Sequence, residues 1–323
     1  MRNACTRIVV IVFLLPLLVS GCGKRADEPP QRTDANETAP KEEKKPPKEE
    51  NKPPKEESAR EKGDAAYKKG DLDLAIANYT EAIRIDPKDT ATLQRRGGVY
   101  WKKGDCEKAI ADFSEWIRLD PKDAKAYCCR GFAYAGKGDL DKAIADYSDA
   151  IRIDPKYAEA YCNRGGAYGQ KGEDEKAIAD STEAIRLNPK DAKAFSNRGS
   201  SFAKMNDLDK ALADQSEAIR LDPKAAVTYF YRANTYLLKE DFDKAIVDFS
   251  EAIRLDPKQA RAYCFRGLAY TKKGDADKAI ADLSEAIRLD PKFAFAYRLR
   301  AGAYSKKGDV VNALSDLNQA DSQ

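Results

Sequence analysis

Histidine is absent from this 323-residue chain. The commonest general acid/base and the commonest metal ligand are both missing with it. Charge of one sign is also lacking: 57 Lys and Arg stand against 54 Asp and Glu, a net charge of +3. That balance excludes the clustered basic surface that neutralises nucleic-acid phosphates. No CxxC or Cys/His spacing occurs that would hold zinc or form a redox pair. Cys, Glu, Lys and Tyr leave catalysis open in principle, but the expectation is a non-enzyme with no metal and no cofactor.

What is present begins with a leader. Arg2 and Arg7 precede an apolar run from Ile8 to Val19, followed by Ser20, Gly21 and Cys22. A basic start, a short apolar stretch and small residues at the cut describe a secretory signal peptide. The run is shorter than the roughly 20 residues a membrane span needs. "VSGC" at 19–22 resembles the lipobox of bacterial lipoproteins. That resemblance implies removal of residues 1–21 and a lipid on Cys22, hence a bacterial cell-envelope protein anchored in the membrane. Gly23 follows Cys22, which under enteric-type sorting favours the outer membrane, with the remainder periplasmic or surface-exposed.

Residues 22–57 are Pro, Glu and Lys with almost no apolar side chains, and "PPKEE" occurs twice. Such a segment cannot bury enough surface to offset its ordering entropy. It is expected to be a disordered, proline-extended tether.

From residue 58 the chain repeats. Pro87, Pro121, Pro155, Pro189, Pro223, Pro257 and Pro291 are each 34 residues apart. With each proline at position 32, eight units begin at Glu56, Thr90, Ala124, Ala158, Ala192, Ala226, Ala260 and Ala294. Position 4 is Leu or aromatic from the second unit on, position 8 is Gly or Ala, and position 11 is aromatic in seven of eight units. Position 20 is always Ala, with further apolar residues at 24 and 27 in most units. Spacings of four and three place each set on one helix face. Gly-Asp at positions 15–16, as in Gly138–Asp139 and Gly274–Asp275, supplies a left-handed stop and then an N-cap. Asp89, Asp123 and Asp191 are placed to cap the helix after each proline.

A 34-residue helix–turn–helix unit of this kind resembles the tetratricopeptide repeat. The resemblance covers 58–323 and implies an all-α, right-handed superhelical solenoid of antiparallel helix pairs with a concave groove. In that family the groove is lined by positions 2, 5, 6, 9, 12 and 13 of the first helix, and a protein or peptide partner lies along it. The first units resemble repeats that clamp a C-terminal carboxylate. Arg60, Asp64, Arg95, Lys125 and Cys129 stand at the clamp positions, and the acid and the thiol argue against a working clamp. Asn163 and Asn197 at position 6, with Lys193 at position 2, resemble a ladder that holds an extended backbone. Phe230, Tyr231, Leu237, Leu238, Phe265, Leu268, Phe295 and Leu299 continue the same positions as an apolar stretch, with Asn234 among them as a further groove position. An exposed apolar patch marks an interaction site. The other reading is burial within this chain or in a homo-oligomer, given that the last unit stops at Gln323 and a solenoid end normally needs a polar cover.

The Arg column at position 7, from Arg96 to Arg300, is expected to pair with the Asp at position 23 of its own unit; the first unit loses both together, as Lys62 and Asn78. Cys128, Cys162 and Cys264 share position 5, beside Cys129. Residues one unit apart lie too far from each other for a disulfide, so these thiols read as small semi-apolar filler. The functional expectation is an envelope lipoprotein acting as scaffold, adaptor or assembly factor. The alternatives are a structural homo-oligomer or a thiol-based enzyme or redox protein.

Overall fold

A computed structural model describes residues 57–323. Residues 1–56, and with them the leader, Cys22 and nearly all of the tether, lie outside the described residues. Among the described residues every regular element is an α-helix, and the helices come in pairs. Two compact units can be distinguished, divided after Ile153.

The first unit holds three pairs: α1 (Ala59–Lys68) with α2 (Leu72–Ile85), α3 (Thr90–Lys102) with α4 (Cys106–Leu119), and α5 (Ala124–Lys137) with α6 (Leu140–Ile153). The second holds five: α7 (Ala158–Lys171) with α8 (Asp174–Leu187), α9 (Ala192–Lys204) with α10 (Leu208–Leu221), and α11 (Ala226–Leu238) with α12 (Phe242–Leu255). It continues through α13 (Ala260–Lys273) with α14 (Ala276–Leu289) and α15 (Ala294–Lys307) with α16 (Val310–Asp321). Odd-numbered helices are the first of each repeat and even-numbered helices the second.

The punctuation follows the residues. Gly138 and Gly274 take φ of 90° and 89°, and Asp139 and Asp275 accept from the backbone N–H three residues on, at 3.2 Å each. Asn206 and Glu240 replace glycine at this turn and still take φ of 64° and 61°, a backbone region that L side chains enter at a cost of about 1 kcal/mol. Asp89, Asp123 and Asp191 cap α3, α5 and α9 through their second residues at 2.9–3.0 Å.

Close approach within a pair needs the small residues. A Cβ on Gly97 would lie 2.6 Å from the Phe113 ring, and one on Gly131 2.9 Å from the Tyr147 ring. The alanines at position 20, such as Ala109, Ala143 and Ala245, are fully buried. Each position-7 arginine forks onto its position-23 aspartate: Arg232 donates Nε and Nη2 to Asp248 at 2.7 and 2.9 Å, and Arg96 does the same to Asp112 at 2.9 and 2.7 Å. The arginine's remaining nitrogen reaches back to the preceding repeat, as Arg232 to Ser216 at 3.1 Å. The Arg column is framework. The tyrosines at positions 4 and 11 are half-buried rather than core, because cations cover them: Arg130 lies 5.8 Å from the Tyr127 ring and Lys142 5.4 Å from the Tyr134 ring.

Candidate functional site

In the first unit two of the basic residues at the clamp positions are already committed. Arg95 pairs with Asp64 at 3.0 Å, and Arg60 with Asp89 at 3.2 Å. The Tyr79 hydroxyl donates to Asp64 at 2.7 Å, and burial together with that carboxylate holds the phenol well above its ordinary range. A carboxylate ligand would have to break these pairs, so the argument against a clamp gains a physical basis.

The same helices carry side chains that the sequence reasoning passed over. Trp101 at position 12 of its unit and Phe132 at position 9 of the next are both half-buried, with ring centroids 4.8 Å apart. Lys102 lies 4.7 Å from the Tyr67 ring centroid, Tyr67 holding position 12 of the first unit. Listing the position-9 and position-12 residues unit by unit would have found them.

In the second unit the expected asparagine ladder is engaged inside the chain. Asn163 is buried and its Oδ1 accepts from Lys193 Nζ at 2.9 Å. Asn197 donates Nδ2 to the Cys162 carbonyl of the preceding repeat at 3.1 Å. The amide groups that would hold an extended ligand instead join α7 to α9. Lys193 remains exposed along much of its length, and Asn197 is half-buried.

The apolar stretch is corrected more strongly. Phe230, Asn234, Leu237, Leu238, Phe265 and Leu268 are buried, Phe230 to 1% exposure and Phe265 to none. The five apolar ones form one core with Phe249, Ala245, Ala252 and Ala262. Phe230 meets Phe249 and Phe265 edge-on at 5.7 and 5.9 Å, and Phe249 stacks on Phe265 at 6.3 Å. The reason is lateral. Successive first helices α11, α13 and α15 touch one another, so the large side chains between them are covered by the neighbouring repeat. Asn234 donates to the Phe230 carbonyl at 2.9 Å within its own helix. Of the apolar stretch, Tyr231, Phe295 and Leu299 stay half-buried at the margin of this core; desolvation pushes the Tyr231 phenol up to about 12.

Cys128, Cys162 and Cys264 are buried thiols, and Cys129 is a half-buried one. Burial raises the Cys162 and Cys264 thiols far above their ordinary range. A nucleophilic or redox cysteine needs the opposite shift.

Comparison with known proteins agrees with this geometry. Family models described as TPR repeat match residues 63–104, 97–138, 134–172 and 233–274. Models described as tetratricopeptide repeat match 158–191, 175–226 and 260–293. No curated protein matches the chain. Among solved structures, the chain resembles one in the crystal structure of the APC/C hetero-tetramer Cut9–Hcn1 with a TM-score of 0.64 and 20% identity. That likeness covers 81% of this chain and 52% of that one, so this chain spans about half the other's length. A tetratricopeptide repeat protein from Parabacteroides merdae gives 0.61 and 20% identity over 79% of this chain and 97% of that one. MamA gives 0.46 and 30% identity over 51% of this chain and 96% of its own. At 20% identity the first two likenesses are of fold, and they reach across most of the described residues. With repeat models matching from residue 63 to residue 293, the chain belongs to the tetratricopeptide repeat family.

Proposed function

We propose that this chain is a lipid-anchored scaffold of the bacterial envelope whose first-helix faces hold a protein or peptide partner. The repeat fold is typical of protein–protein interaction scaffolds and is generally non-enzymatic. The anchor rests on the leader and lipobox-like "VSGC", which favour a lipid on Cys22 after loss of residues 1–21. Residues 22–57 then act as the spacer between membrane and the repeat domain of 58–323. In a Gram-negative cell Gly23 favours the outer membrane. Anchoring concentrates whatever is bound, as an adaptor or assembly factor would require.

The observation that carries the binding reading is the Trp101–Phe132 pair. Two rings on successive first helices, half-buried and 4.8 Å apart, offer a rigid apolar anchor beside polar groups that are already paired. Aromatic side chains of this kind dominate interface energetics. Lys193, Asn197, Tyr231, Phe295 and Leu299 are the remaining expected positions that keep accessible surface.

Two measurements test it. A photo-crosslinking residue at Phe132 in the full chain, in cells, should give discrete protein adducts, while the same residue at Glu115 on the second-helix side should not. Equal labelling at both positions would defeat the groove reading. Separately, Cys22→Ser should move the protein from the membrane fraction to the soluble one; a membrane fraction unchanged in mass and amount would defeat the anchor.

A further inference from the structure

We infer that the Pro46–Glu50 stretch of the tether docks on the first-helix faces of α1, α3 and α5, where it competes with the partner. This rests on the reading of the Trp101–Phe132 face as the partner site. Positions 12 and 13 are Tyr67–Lys68 in the first repeat and Trp101–Lys102 in the second, and no later repeat has an aromatic residue at position 12.

Glycines keep the Trp101 ring uncovered. A Cβ on Gly98, one turn before it, would meet nothing within 4 Å, so the space there is open. Gly136 on α5 is exposed, and a Cβ there would lie 3.3 Å from Trp101 Nε1. That N–H meets no acceptor among the described residues. Lys68 and Lys102 are exposed, and neither meets a carboxylate among the described residues. Lys102 instead lies over the Tyr67 ring. The acids of α1 are taken: Glu61 accepts from the Ser58 backbone and Asp64 holds Arg95.

The occupant of such a face offers rings to stack, carbonyls to accept from the indole, and carboxylates for two lysines. An extended proline-rich segment supplies the first two, because polyproline II leaves its carbonyls without internal partners and docks in aromatic-lined grooves. Pro46 and Pro47, followed by Glu49 and Glu50, supply all three. Reach selects this copy over the one at 53–57. From Ser58 the ring pair lies about 10–14 Å along the helix axis and one to two interhelical spacings of about 10 Å across, a path of about 20 Å. At about 3.1 Å per residue, Pro53 and Pro54 stay within about 12–16 Å of Ser58, whereas Pro47 can lie about 34 Å away. Glu50, at about 25 Å, spans the distance to the lysines. Because the segment is tied to α1, its docking is intramolecular and a weak contact suffices to hold it.

The test uses the purified full chain and its two tryptophans. Trp116 is 3% exposed and gives a constant background, so changes report Trp101. Pro46→Ser with Pro47→Ser should shift emission to longer wavelength and increase quenching by acrylamide, and Glu49→Lys with Glu50→Lys should do the same. Pro53→Ser with Pro54→Ser should change neither. Gly98→Leu fills the open space without a clash, so in that background the Pro46 and Pro47 changes should have no further effect. In cells, the Pro46 and Pro47 variant should raise the yield of partner adducts from a photo-crosslinker at Phe132. Unchanged emission and quenching in that variant, an equal response at Pro53 and Pro54, or a response that grows with protein concentration, as a segment from another copy would give, would each overturn the inference. Partner adducts at Phe132 beside unchanged Trp101 emission would overturn this inference alone and leave the partner-binding reading standing.

Discussion

Gln215 sits at position 24, where Tyr79, Phe113, Tyr147 and Phe249 place rings in other repeats. It is fully buried, and neither its Nε2 nor its Oε1 has a hydrogen-bond partner among the described residues. An amide stranded in this way costs about 1–3 kcal/mol. Gln215→Leu, the residue that the seventh repeat carries as Leu283, should therefore raise stability by about 1–2 kcal/mol in a urea titration; a loss would show that the amide has a partner in solution. Arg232 makes the opposite case. Asp248 is 4% exposed and forked by Arg232, so Arg232→Ala leaves a buried charge alone and should cost about 3 kcal/mol. Pairing Arg232→Met with Asp248→Leu should recover most of that, and a single-variant loss under about 1 kcal/mol would sink the reading. The Arg–Asp pairing was legible in the sequence because the first repeat loses both partners at once. Gln215 was not singled out: polarity at a core position is visible in the sequence, but the lack of a partner appears only when its surroundings are seen.

At the scale of the element, turns and caps were legible almost residue by residue, since Gly and Asp at fixed offsets have local conformational reasons to be there. The extent of burial on a first-helix face was not. Periodicity says that Phe230 and Phe265 share a side of their helices, yet how far that side is covered depends on the spacing of α11, α13 and α15. The caps carry a pH dependence of their own. Asp105, Asp139, Asp207, Asp241 and Asp275 are each held below the ordinary carboxylate range, first by the lysine three residues on, and Asp309 likewise by Asn312. A lowered folded pKa means that the unfolded chain binds more protons in the interval between the two values. Stability therefore rises with pH across that interval. The contribution is complete above the unfolded carboxylate value of about 3.9 and disappears as pH falls through the folded values. Ellipticity at 222 nm should hold from pH 7 to about pH 4 and then decline, and more gently in high salt because these groups are exposed. A decline already under way at pH 6 would contradict this assignment.

For the whole molecule, the 34-residue period sufficed to read the fold, because a repeat array needs only that each unit fit its neighbour. It concealed that the units are unequally cored. Within 154–323, the fourth and fifth repeats place Ser181 and Gln215 where rings stand elsewhere, and the buried apolar cluster there is Cys162, Ala184 and Ala194. The sixth and seventh repeats gather Phe230, Phe249, Phe265 and Leu268. A fully buried large apolar side chain is worth about 1.5–3 kcal/mol, so the thinner section lacks several kcal/mol of local stabilisation. In a nearest-neighbour array such a deficit stays local. Native-state hydrogen exchange should then show amides of α8, α9 and α10 opening at lower free energy than those of α11 to α14. Lys193 and Asn197 lie in that softer section, so a partner laid along them would restrict its opening, and its protection should rise on binding by mass action. Uniform exchange across 154–323 would mean that the array opens as one cooperative body, with the polar core of the middle repeats compensated elsewhere. Early exchange in α8 to α10 that slows when a partner crosslinks at Phe132 would instead tie ligand binding to the ordering of this joint.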